Sequence, residues 1–227
     1  LNITALFSGG KDSTYAIYKA KLEGHNVSCL VTVFPISEES KFLHYPNINM
    51  TTLQATSMKI PHIYGMVNSN DIKTESAELE KLLIQARKDF DIEGVVHGGI
   101  LSEFQKHHFE KIAKKLNLQI ISPLWKIDQK KYLTELIESK FHFIITSVSS
   151  DGLDDFWLGR EISNQDIEKL DKLATQHGFN LSFEGGEAET LVIDCPLFSD
   201  QLKIVKSKKI WDGYRGRFEI TEAILSR

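Results

Sequence analysis

Short apolar runs alternate with stretches of helical period over the first two thirds of the chain. Residues 3–7 (Ile-Thr-Ala-Leu-Phe) are the first such run and predict a buried strand, and residues 14–20 carry apolar positions at helical spacing. Residues 27–34 are β-rich and predict a second strand. A polar loop is expected over 35–47, then a helix over 50–58 and a third strand over 61–64. Residues 75–87 are strong helix formers with Leu79, Leu82, Leu83 and Ala86 on one face. Residues 94–97 predict a fourth strand ending in Gly98-Gly99, residues 104–116 an amphipathic helix, and residues 120–125 a fifth strand with its exit. A helix over 132–138 and a sixth strand over 141–148 complete the series. Strands alternating with helices predict an α/β fold, a doubly wound, mostly parallel sheet with helices on both faces. Ligands of such sheets lie outside the carboxyl ends of the strands, at the switch in strand order. The turns after residues 7, 34, 97 and 148 are therefore expected to converge on one cleft.

Near residue 150 the pattern changes. Ser149-Ser150-Asp151-Gly152 opens a loop that runs to Arg160, and one more helix is predicted over 164–177. An acidic, Gly-containing stretch and a short apolar run follow. Two β-rich runs, 202–210 and 215–220, flank Asp212-Gly213, a turn signal that predicts a hairpin. The expected division is a domain over 1–150 and a smaller C-terminal α+β domain over 151–227.

The most informative stretch is Ser8-Gly9-Gly10-Lys11-Asp12-Ser13, between the first strand and the first helix. Strand, Gly-rich turn and helix make a phosphate-binding arrangement. The glycines permit a tight turn and a close ligand. Amides of the turn and first helical turn point at one place, where the helix dipole favours an anion. Lys11 adds a positive charge, and Asp12 a carboxylate suited to Mg²⁺ accompanying a polyphosphate. A bland reading remains, a Gly turn capped by Asp12 or Ser13. The stretch is not a Walker A loop, because Gly10-Lys11 is followed by Asp12 rather than Ser or Thr.

Composition narrows the class. The chain has 227 residues, 41% hydrophobic and 26% charged, which fits an ordinary globular protein. The net charge is −4 with no long basic run, so no direct nucleic-acid binding is expected. Cys29 and Cys195 are far apart and no CxxC is present, which argues against a zinc site or an iron–sulfur cluster. They read as buried thiols in a reducing compartment. No signal peptide or membrane span is evident, so no membrane partner is expected and the cytoplasm is the expected location.

Three further stretches carry candidate chemistry. Glu184-Gly185-Gly186-Glu187-Ala188-Glu189 puts three carboxylates and two glycines within six residues. Such a run could be a solvated turn, or could hold Mg²⁺, bind ammonium or supply a general base. Residues 151–160 mix acids, aromatics and Arg160, either as a linker plugged by Phe156 and Trp157 or as a binding loop. His107-His108 is expected to be a surface pair, because adjacent helix positions do not share a face.

The SGGxDS pattern resembles the PP-loop of the ATP pyrophosphatases, a HUP-like fold whose members cleave ATP between the α- and β-phosphates. Later motifs resemble one branch of it, the diphthine–ammonia ligase family in its short single-chain form. They are Ser40-x-x-x-His44, Gly99-Ile100-x-Ser102-Glu103-x-Gln105, Pro123-Leu124-Trp125, Gly152-Leu153-Asp154-x-x-Trp157-Leu158-Gly159, the 184–190 stretch ending in Thr190, and Asp194-Cys195-Pro196-Leu197-Phe198. The resemblance covers essentially the whole chain. His107-His108, where the family usually has a basic residue, and Ala188, where many members have an aromatic one, depart from it.

The resemblance implies ATP-dependent amidation of diphthine on translation elongation factor 2 with ammonium, through an acyl-adenylate, giving diphthamide, AMP and pyrophosphate. ATP and Mg²⁺ would be bound by residues 1–150. The implied nucleotide contacts are Ser8, Gly9, Gly10, Lys11, Asp12, Ser13, Phe34 and Gly99, with Asp12 on the metal. Lys11 and Asp12 would act in adenylylation, and Glu187 and Glu189 in binding and deprotonating ammonium. His44, Ser102, Gln105, Asp154, Trp157, Glu184, Gly185 and Gly186 would meet the protein substrate or ammonium. Aromatic faces recognise quaternary ammonium groups, so Trp157, with Phe156 and Asp154, is expected to meet the trimethylammonium of diphthine. Homo-oligomerisation is left open. The rival readings are a tRNA-modifying PP-loop enzyme, disfavoured by the missing cysteine pairs and the negative charge, and a non-catalytic nucleotide-binding regulatory module. A glutamine-dependent amidotransferase lacks support, because no N-terminal glutaminase cysteine is present.

Overall fold

A computed structural model describes residues 1–35, 44–68 and 71–227, and the side chains of 35 and 44–47 lie outside what it describes. Contacts divide the chain into two units: Leu1–Ser8 with Asp12–Trp125, and Gly9–Lys11 with Lys126–Arg227.

The first unit holds five strands: β1 (Asn2–Leu6), β2 (Asn26–Pro35), β3 (His62–Val67), β4 (Gly94–Val96) and β5 (Gln119–Ile121). They lie in the order β3-β2-β1-β4-β5, every pair parallel. Helices α1 (Lys11–Leu22), α2 (His44–Met58), α3 (Ile72–Phe90) and α4 (Glu103–Lys115) make the four crossovers, as parallel strands require. Consecutive residues of the central strands are buried, among them Cys29, Leu30 and Val31 on β2 and Val95 and Val96 on β4. That is the mark of a sheet covered on both faces. On α3 the predicted stripe of Leu79, Leu82, Leu83 and Ala86 is buried against Cys29, Val31 and Val95. Asp71 caps its N-terminus and Ser102 caps that of α4, each accepting from a first-turn amide.

α2 starts at His44, inside the stretch expected to be loop. Pro46 is its third residue, where a missing N–H is tolerated because first-turn amides lack intrahelical partners. Residues 36–43 of that expected loop, Ser40 included, lie outside the described residues.

The second unit contains α5 (Gln129–Glu138), β6 (His142–Val148), α6 (Asn164–His177), β7 (Ala188–Asp194), β8 (Gln201–Trp211) and β9 (Gly216–Ser226). Its sheet is antiparallel, in the order β7-β6-β9-β8. The β8–β9 hairpin forms as predicted, its turn held by the Asp212 carboxylate, which accepts from the amides of Tyr214 and Arg215. Ser163 and Asp166 build a reciprocal cap on α6.

One expectation is corrected here. The parallel sheet has five strands, not six, because β6 pairs with β7 and β9. The physical reason is that a short apolar run looks alike in a parallel and an antiparallel sheet. The strands that pair with β6 lie forty residues or more downstream, where local pattern has no reach. Among the described residues no helix is long and apolar enough to cross a membrane.

Candidate active site

β1 sits in the middle of its sheet, with β2 on one side and β4 on the other. The chain reverses direction across the sheet between β1 and β4, so their carboxyl ends flank the switch-point crevice. The 8–13 loop leaves β1 there, and His97-Gly98-Gly99 leaves β4. Ser8 N–H is bonded to Ser13 Oγ at 3.2 Å, and the two hydroxyls lie 3.1 Å apart. Gly9 adopts φ +79°, a left-handed conformation that favours glycine. α1 begins at Lys11, so its positive dipole end opens onto the loop. Asp12 is half-buried. A Gly-containing turn at the N-terminus of a helix suits an anion.

The turn after β4 presses on the loop. A Cβ on Gly98 would lie 2.5 Å from the Asp12 carbonyl carbon. Buried His97 fixes this turn. Its Nδ1 accepts from Gly99 N–H at 3.0 Å, so the proton sits on Nε2, which donates to Ser122 Oγ at 2.7 Å. Burial, with Lys106 nearby, pushes the imidazole below its usual range and keeps it neutral. Gly99 is thus placed at the expected crevice, while Phe34 is buried at the end of β2 with its ring edge-on to Tyr64. Ser102 Oγ accepts from Gln105 N–H, and Gln105 itself is exposed. The side chain of His44 lies outside the described residues.

Within the second unit, Lys11 departs from expectation. Its side chain is 1% exposed. Nζ donates to the Ser182 carbonyl at 2.6 Å and lies 5.5 Å from the Phe183 ring and 5.9 Å from the Tyr132 ring. An ammonium enclosed in this way is not presented to a phosphate. Its backbone N–H donates to Thr190 Oγ1, and Val192 N–H donates to Gly9 O.

The 184–190 stretch is an ordered turn leading into β7. The Glu187 carboxylate folds back: Oε1 accepts from both the backbone and the side-chain N–H of Asn180, and Oε2 from Gly185 N–H, all at 2.8–2.9 Å. Three donors on one carboxylate make it a brace for the turn. Gly185 lies against it, and Gly186 has φ +82°. Ser149 ties the turn to the end of β6 through Gly186 O and Glu187 O. Glu184 is half-buried, Glu189 is exposed on β7 opposite Ser147, and Ala188 is buried opposite Val148.

Trp157 is 4% exposed, so the expected encounter of its face with a quaternary ammonium is not open to it. It plugs the core. Phe156 is exposed, but the Arg160 guanidinium lies 4.6 Å from its ring centre. Arg160 also donates twice to Asp166. Asp154 is occupied in a local turn, accepting from Phe156 N–H. His107 and His108 point to different surroundings, His107 outward and His108 to Ser76. Burial pushes the Cys29 thiol up to about 11 and the Cys195 thiol up to about 12, as inert core groups. Sequence reasoning missed His97, Ser122, Gln129 and Ser182. The two glycines after β4 were a signal for that turn, whereas nothing local marks Gln129 or Ser182.

Comparison with known proteins matches residues 1–120 to the diphthamide synthase N-terminal domain and residues 128–225 to the diphthamide synthase C-terminal domain. The chain is 32% identical to the diphthine–ammonia ligase of Rattus norvegicus over 92% of this chain and 85% of that protein. It is 31% identical to that of Homo sapiens over the same shares. A solved structure, a predicted subunit of tRNA methyltransferase from Methanocaldococcus jannaschii, has a TM-score of 0.44 at 16% identity, covering 86% of this chain and 98% of that one; it is too remote to inform the site. With both domains matched in order on either side of the junction at Trp125, the chain belongs to the diphthamide synthase family.

Proposed function

We propose that the chain is a diphthine–ammonia ligase that amidates diphthine on translation elongation factor 2. The observation that carries this reading is the SGGKDS loop opening α1 at the switch point of a parallel sheet, in a chain matched along both family domains. The diphthine carboxylate oxygen attacks the α-phosphorus of ATP. The bond to the β-phosphate oxygen breaks, and pyrophosphate leaves with an acyl-adenylate formed. Loop amides and the N-terminus of α1 stabilise the charge that develops on the departing oxygens. Mg²⁺, held through Asp12, would neutralise part of the polyphosphate charge.

In the second step ammonia attacks the acyl carbon and AMP leaves. The nucleophile must first lose a proton from ammonium. Glu189 is our candidate acceptor, because its carboxylate is exposed while that of Glu187 is engaged in bracing the turn. Glu184, Gly185 and Gly186 line the same turn, and Ser102 and Gln105 offer contacts to the protein substrate. Two unpaired buried thiols accord with a reaction carried out in the cytoplasm.

The test is incubation of diphthine-bearing elongation factor 2 with ATP, Mg²⁺ and ammonium, following AMP release and the mass of the modified histidine. Conversion of acid to amide with equal AMP release is expected. In Glu189→Gln, AMP release should outrun amide formation. AMP release with no mass change in the wild-type chain would refute the reading and direct attention to tRNA. Nucleotide binding without turnover would favour a regulatory module.

A further inference from the structure

We propose that Lys11 is a positioning residue, which ties the nucleotide loop to the segment carrying Glu184, Glu187 and Glu189. The inference deepens the proposed function and rests on that reading for its meaning in catalysis.

Hydrogen bonds join Gly9–Lys11 to residues 182–192, within the second unit. Val192 N–H donates to Gly9 O at 3.0 Å, Lys11 N–H to Thr190 Oγ1 at 3.1 Å, and Lys11 Nζ to Ser182 O at 2.6 Å. The last link is itself supported. Ser182 is fully buried, and its N–H and hydroxyl both donate to Gln129 Oε1, at 2.8 and 3.0 Å, which sets the direction of its carbonyl. Phe183 adopts φ +63°, a left-handed conformation that is an outlier for an aromatic residue, and its ring lies 5.5 Å from Nζ. Tyr132, also fully buried, lies on α5 with its ring 5.9 Å from Nζ.

Burying an ammonium is costly unless it is paired and hydrogen-bonded. Here the carbonyl and the two aromatic faces offset that cost. Swinging Nζ out to a phosphate would forfeit all three contacts and leave the Ser182 carbonyl without this donor. The segment that grips Lys11 is the one the Glu187 carboxylate braces, through Asn180 and Gly185. Gly9–Lys11 is flanked along the chain by Ser8 and Asp12. Order in the 180–187 turn therefore sets the backbone of Gly9–Lys11, the glycine-bearing part of the loop.

The experiment compares Lys11→Met, Gln129→Ala and their double variant in the full chain. It uses hydrogen exchange at residues 8–13, calorimetric titration with Mg²⁺ and inorganic pyrophosphate, and AMP formation. Exchange should quicken at 8–13 and 180–187 but not in α3. Pyrophosphate affinity should stay within about threefold, while the AMP-forming rate falls roughly 10- to 100-fold, as small misplacements of reacting groups do. The double variant should be no slower than Lys11→Met, because Gln129 acts through Ser182 on Lys11. If Lys11→Met does not fold, Gln129→Ala and Thr190→Val carry the exchange test. Unchanged exchange at 8–13, or a loss of pyrophosphate affinity of about tenfold or more that multiplies with Gln129→Ala, would overturn the proposal. Should the wild-type chain amidate no diphthine-bearing factor, the proposed function fails while exchange still decides the role of Lys11.

Discussion

Replacing Gly98 with alanine tests whether the turn after β4 holds the nucleotide loop in place. The added Cβ would lie 2.5 Å from the Asp12 carbonyl carbon, 2.6 Å from its oxygen and 2.7 Å from Ser13 N. An ordinary carbon–carbon contact is about 3.5 Å, so about 1 Å must be found. All three obstacles are backbone atoms of the first turn of α1, so no side chain can rotate away. On the other side the turn is pinned by His97, bonded at both ring nitrogens to Gly99 and Ser122. Overpacking of this kind costs about 1–3 kcal/mol of stability. A displacement of about 1 Å at a reacting centre costs on the order of 10²-fold in rate. Gly98→Ala should therefore unfold a few degrees early, at roughly 2–4 °C per kcal/mol for a chain of this size, and lose far more AMP formation than stability. Thermal unfolding and AMP release on the same sample read both quantities. Wild-type melting together with a rate within about twofold of wild type would refute the argument that the two loops are wedged together.

Glu187→Gln replaces a carboxylate oxygen with an amide that must face an N–H, so about 1–3 kcal/mol of stability should be lost in urea unfolding; an unchanged midpoint would return Glu187 to the list of free bases. Trp157→Ala should cost about 3–5 kcal/mol through the cavity it opens, while the exposed Phe156→Ala costs little; selective loss of factor binding at full stability would contradict its burial. Half-buried His62 gives a pH test. Its Nε2–H donates to Thr32 Oγ1, whose hydroxyl donates to Phe7 O; Nδ1 is buried with no hydrogen-bond partner among the described residues. Burial pushes the imidazole down from 6.5 to about 4. The unfolded chain takes up a proton below pH 6.5 and the folded one does not until about pH 4, so this stability is complete above 6.5 and is lost as the pH falls between the two. The interval amounts to roughly 3 kcal/mol, reduced to about 2 by partial exposure. His62→Gln, which retains an N–H for Thr32, should flatten that part of the urea-midpoint profile, and a profile identical to wild type would refute the assignment.

The sequence by itself determined the βα units of the first sheet, the loop at the head of α1 and the β8–β9 hairpin. Each is a local object: a buried strand, a Gly-rich turn, a helix stripe or an Asp-Gly turn is set by residues a few positions apart. Tertiary structure alone decided what those residues face. β6 reads as one more parallel strand until β7 and β9, far along the chain, claim its edges. Lys11 reads as a phosphate ligand because its neighbours are glycines and an acid, yet its ammonium meets a carbonyl 171 residues away. Glu187 and Trp157 show the same limit. A carboxylate is an available base, and an aromatic ring an available surface, only where nothing else in the fold has already occupied it. Which groups are occupied depends on long-range burial and hydrogen bonding, and those are decided when the chain closes on itself.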